Sequence, residues 1–162
     1  MMRRPQRSVV ALLMGIALTL GATACKAGQT EVKPPEIRYG QDVCAACNMI
    51  ISDARYASAY VYAVETGRYD SLVFDDIGDM VLHAADHPEH KFAAWYVHDY
   101  NSEAWLDATT AHYVFSAELQ TPMAHGMAAH ATAEAAEKMA AELHGDVLDW
   151  VAAKARLAKP RA

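Results

Sequence analysis

The sequence predicts an α+β protein built from two small ββαβ-like halves, preceded by a signal peptide and a tether and closed by a C-terminal helical segment. Three observations lead there. Short runs rich in β-branched and aromatic residues recur at Tyr56–Val64, Tyr69–Phe74 and Lys91–Asp99. One amphipathic helix lies between the second and third of these runs. A β-then-α order then partly repeats after residue 101, although the two stretches are too dissimilar to establish a repeat by sequence.

The first element is excluded from the fold. Arg3, Arg4 and Arg7 precede an apolar stretch from Val9 to Leu20, and small residues lead to Cys25. That is the layout of a secretory signal, too short to cross a bilayer as a transmembrane helix. Ala22-Thr23-Ala24-Cys25 resembles a bacterial lipobox, which makes residues 1–24 a cleaved lipoprotein signal and Cys25 the lipidated residue. Residues 25–37, polar and containing Pro34-Pro35, read as a flexible tether. Lys26 after the lipid cysteine favours the outer membrane, with the domain facing the periplasm. Loss of the signal takes the 14 basic residues to 11 against 20 acidic ones. So acidic a surface repels phosphate backbones, which argues against nucleic-acid binding.

Residues 38–100 form the first half. It begins with the cysteine segment Cys44-Ala45-Ala46-Cys47-Asn48-Met49, and the two strands from Tyr56 to Phe74 follow, joined by a turn at Glu65-Thr66-Gly67-Arg68. An aspartate, Asp75 or Asp76, caps a helix whose apolar face is Ile77, Met80, Val81 and Ala84. His87-Pro88 ends that helix, since proline cannot continue it. Residues 101–162 form the second half. Short strands at Ala104–Asp107 and Ala111–Ser116 precede a loop holding Pro122, Met123 and Gly126. The alanine-rich Ala128–Leu143 stretch predicts a helix, and Asp146–Leu157 a further one.

Chemistry concentrates in the cysteine segment. With Cys25 taken by lipid, Cys44 and Cys47 remain, too close together to be an effective staple in an oxidising compartment. Thiolate and thioether are soft donors, and copper(I) is the first-row ion that prefers them. Cys47 and Met49 would share one face of an extended segment and reach one ion. Met123, in a loop and preceded by proline, is the candidate third ligand. Cys44 is open between ligand, disulfide partner and buried thiol. Among eight histidines, His125 and His130 lie nearest to Met123 and are the candidates to assist. Met80 and Met139, on helix faces, read as core. Zinc wants four ligands, and no second cysteine pair exists. The competing reading is a lipid-anchored thiol–disulfide oxidoreductase using Cys44 and Cys47. That chemistry favours a thiolate at a helix N-terminus, whereas loop and strand follow Cys47 here.

Taken together the residues resemble the NosL family, accessory copper-binding lipoproteins of nitrous oxide reductase maturation. The resemblance rests on Asp42-Val43-Cys44-x-x-Cys47-x-Met49-Ile50 with Asp53, Arg55 and Tyr56-Ala57. It continues in Phe74-Asp75-Asp76-Ile77-Gly78-Asp79-Met80, Tyr96-Val97-x-Asp99-Tyr100, Trp105, Ala108, Ala111-x-Tyr113-Val114 and Pro122-Met123-x-x-Gly126. The family commonly has glycine where this chain has Asn48, and asparagine is the side chain that best tolerates the positive φ such a turn needs. The resemblance implies a non-enzymatic carrier of copper(I), with Cys47, Met49 and Met123 as ligands. It implies as partners nitrous oxide reductase with its maturation machinery and, through the anchor, a membrane, with no small-molecule substrate. It also implies a fold similar to a domain of organomercurial lyase.

Overall fold

A computed structural model describes residues 30–159; Cys25 and the signal segment lie outside them. Strand β1 (Ser58–Glu65) turns through Thr66-Gly67 into β2 (Arg68–Phe74). Gly67 takes φ 71°, a left-handed conformation that a side chain would strain. Helix α1 (Ile77–Asp86) follows, with Asp76 as N-cap and His87 as C-cap, and it buries the expected Ile77, Met80, Val81 and Ala84. Strand β3 (Lys91–His98) returns beside β1, and β4 (Trp105–Asp107) pairs with β3. All pairings are antiparallel and the strand order is β2-β1-β3-β4.

The second half repeats the plan with different sequence. Strands β5 (His112–Phe115), β6 (Met127–His130) and β7 (Asp146–Leu148) form a sheet of order β6-β5-β7, with α2 (Ala133–Glu142) between β6 and β7, and α3 (Trp150–Leu157) follows. The two ββαβ units, β1-β2-α1-β3 and β5-β6-α2-β7, therefore place their first strand in the centre in the same way.

Two expectations need correction. Ala128, Ala129 and His130 are strand, not the start of a helix. They pair with His112–Val114, and all three are buried. Burial between sheet and α2 outweighs alanine's helix preference here, and the helix starts only after Thr132, whose Oγ1 accepts from the Ala135 N–H. Likewise Asp146–Leu148 is strand paired with β5. The capping aspartate is Asp149, which accepts from the Ala152 N–H at 2.8 Å.

One core runs through both halves. Tyr60 packs on Phe74, Phe92 and Trp95, Trp95 meets Trp150 of α3, and Trp150 meets Tyr113 of β5. Ile37 joins this core from the N-terminal side. Backbone pairing also links the sheets, through the bridge of Asp99 with Ala129 and the Tyr100 N–H to Ala129 carbonyl bond. None of the described helices is long and apolar enough to cross a membrane.

Buried histidines set a pH dependence. His98 donates from Nδ1 to the Ala57 carbonyl at 2.8 Å and meets the Tyr39 hydroxyl through Nε2. Burial holds both His98 and His83 below the ordinary histidine value. The unfolded chain therefore binds more protons than the native one as pH falls through about 6.5, and stability drops in that window. Urea midpoints should be lower at pH 5.5 than at pH 7.5, and a His98→Gln variant should lose part of the difference. Equal midpoints would reject the assignment.

Candidate metal centre

The cysteine segment is a tight loop rather than an extended stretch, which corrects the one-face argument for Cys47 and Met49. Val43 and Ile50 pair across its base, the Cys44 N–H donates to the Met49 carbonyl at 2.8 Å, and the Asn48 N–H returns to the Cys44 carbonyl at 3.1 Å. Asn48 closes the loop with φ 62°, the positive value expected of it. A further bond, from the Ala45 N–H to the Val73 carbonyl, lays the loop against β2.

That docking aims both sulfurs at the N-terminus of α1. Cys44 is buried and donates to Asp79 Oδ2 at 3.6 Å, and the half-buried Cys47 donates to Asp75 Oδ1 at 3.4 Å. The four groups offer ligand atoms all within 4.8 Å of one another. The thiols are free, with no disulfide between them. The sequence offers Asp75 first as a helix cap and second as a hard-metal ligand or general acid, and Asp79 as a helix residue. Asp76 is the actual cap, while its neighbour Asp75 turns to the thiol.

The second loop arrives at the same helix end. Asp76 Oδ1 accepts from the Gly78 N–H, and its Oδ2 accepts from the Thr121 hydroxyl at 2.6 Å and from the Met123 N–H at 3.0 Å. His125 Nε2 pairs with Asp79 Oδ1 at 3.0 Å. Met49, Ile50 and Asp75 line one open groove together with Gln120, Thr121 and Pro122. Met49 is 53% exposed, unusual for so apolar a side chain. Met123 is half-buried, in the loop that Asp76 holds. His130, by contrast, sits on β6 against Met139.

Charge sets the chemistry. Burial pushes the Cys44 thiol up, against the pull of the Cys47, Asp75 and Ala46 N–H groups. Cys47 is pushed up further, by burial first and then by Cys44 and the Asp75 carboxylate. Burial would also raise Asp79, but bonds from His125 and the thiols outweigh it and hold its carboxyl below the usual range. Both thiols are thus protonated at neutral pH without a cation. A thiol–disulfide exchanger needs the opposite, a thiol with lowered pKa. A cation would displace the protons and find backbone N–H groups already turned towards the sulfurs.

The His125 ring rests on Gly78, where any Cβ would collide with it. A Gly78→Ala substitution should expel His125 from Asp79 and destabilise the protein by about 1–3 kcal/mol. An unchanged urea midpoint would contradict this contact.

The NosL family model matches residues 37–157. A solved structure, the copper chaperone NosL from Shewanella denitrificans, superposes with a TM-score of 0.60 at 18% identity, covering 72% of this chain and 92% of that one. No curated protein matches the chain. At that identity the superposition speaks for the fold.

Proposed function

The chain belongs to the NosL family, and from that premise we propose that it is a non-enzymatic carrier of copper(I), with Cys47, Met49 and Met123 as the ligands. The observation that carries the reading is the convergence of two thiols and two buried carboxylates, one of which shares an open groove with the exposed Met49. The protein similar in fold bears the name of a copper chaperone. Soft sulfur selects the cuprous ion. Methionine adds donors that no disulfide can consume.

Binding forms a copper–sulfur bond as the Cys47 S–H bond breaks, and its proton is released to solvent by way of Asp75, the acceptor already in place. Oxygen donors suit copper(I) poorly, so Asp75 and Asp79 stay outside the ligand set as negative charge opposite the ion. Because Met49 faces solvent, a receiving protein can offer its own sulfur before the old ligands leave. The recipient in this reading is the assembly system of nitrous oxide reductase, reached from a lipid anchor at Cys25 on the periplasmic face of the outer membrane.

Anaerobic titration of the reduced protein against a cuprous chelator, followed by mixing with copper-free nitrous oxide reductase and its maturation proteins, tests both parts. A tightly bound equivalent that depends on Cys47 and moves to the reductase is expected. Failure to compete with the chelator would overturn the carrier, and retention of the ion would overturn delivery.

A further inference from the structure

We propose that the second half holds a soft-metal site of its own, in which a monovalent ion, cuprous or silver, is bound between His130 and Met139 with His112 on its outer side. The site goes beyond the carrier reading and uses none of its ligands.

Topology brings the three residues together. His112 and His130 are directly opposed across the β5–β6 pair, so their side chains project from the same face of the sheet. Helix α2 covers that face. Val114, two residues along from His112, packs with Ala136, Ala140 and Met139, and its cross-strand partner Ala128 also packs with Met139. Met139, which reads from sequence as core filler, brings its sulfur to 3.3 Å from His130 Nε2.

The ring of His130 is only 1% exposed, and its Nδ1 is buried with no hydrogen-bond partner among the described residues. A thioether has lone pairs but no proton, so Nε2 carries the hydrogen and Nδ1 is left with a buried lone pair facing no donor. Buried polar atoms are rarely left so. An ion between Nε2 and the sulfur would leave Nδ1 with a hydrogen in place of its lone pair. It takes the place of the Nε2 hydrogen, and a proton moves to Nδ1. Asp99, whose carboxylate interacts electrostatically with this ring, supplies the negative charge that a metal-bound imidazole commonly turns its second N–H towards.

With metal–nitrogen and metal–sulfur bonds of about 2.0 and 2.3 Å, the existing separation closes an angle of roughly 100°, a small opening short of trigonal. The half-buried His112 can complete the third position from the solvent side. Two imidazoles and a thioether are all neutral, so a monovalent ion is the cheaper charge to bury. The thioether further favours a soft ion over zinc.

Copper(I) titration of the full-length reduced chain against a chelator tests this, with silver(I) as a redox-inert probe followed by NMR of the histidine ring nitrogens. Two equivalents are expected for the parent protein and one for Met139→Leu, which keeps the volume and removes the sulfur. Cys47→Ser should also bind one, moving the His130 ring signals, and the double variant none. Uptake of one equivalent by the parent, lost in Cys47→Ser, would overturn this site and leave the carrier site standing. So would a second equivalent that survives Met139→Leu. The converse result, uptake insensitive to Cys47→Ser but lost in Met139→Leu, would support this site and remove the other.

Discussion

A Cys47→Ser variant should retain its fold and lose cuprous affinity at the loop site by about a thousandfold, roughly 4 kcal/mol. The side chain is half-buried and donates to Asp75, a bond that a hydroxyl can also make, so serine fits where the cysteine was. What disappears is the one anionic soft donor of the proposed ligand set. Met49→Leu should cost less, about tenfold, because a neutral thioether adds less than a thiolate. Its exposure makes it a clean test, since little stability depends on it. Competition with a chelator at fixed pH measures both. Equal affinity in parent and Cys47→Ser would remove Cys47 from the site.

Asp76→Ala should be the most destabilising single change near the centre, by about 3–5 kcal/mol. Asp76 is fully buried and its two oxygens serve three donors: the Gly78 N–H, the Thr121 hydroxyl and the Met123 N–H. Loss of the cap accounts for about 1 kcal/mol. The rest comes from leaving two donors of the opposite loop without their acceptor, at about 1–2 kcal/mol each. Asp76→Asn should fall between, since it keeps an oxygen for one side and presents an amide to the other. Urea denaturation gives the stability. Cuprous affinity of the folded Asp76→Asn protein should also fall, because the same bonds hold the loop of Met123. A loss of about 1 kcal/mol in Asp76→Ala would mean that capping is its only role.

Local physics was legible in the residues. The hairpin, α1 with its four apolar positions, β3, and the positive φ of Asn48 each follow from side chains within one turn or one strand of the feature. Where the sequence misled, at Ala128–His130 and Asp146–Leu148, intrinsic helix preference lost to pairing with β5. That pairing partner lies far enough along the chain to leave no local mark. The site divides in the same way. Cys44, Cys47, Met49 and Met123 stand out by type and spacing, and His125 by its place beside Met123, whereas Asp75 and Asp79 do not.

The residues alone therefore supplied the candidate donors: closely spaced soft sulfur in one segment, with a methionine after a proline about seventy-five positions on. Tertiary structure decided what surrounds them. It set both thiols against carboxylates at the start of α1, tied the Met123 loop to Asp76, and placed His130 beside Met139 instead of beside the cysteines. The physical reason is that donor type is a property of one side chain, while desolvation, proton position and ligand convergence depend on neighbours that only packing supplies.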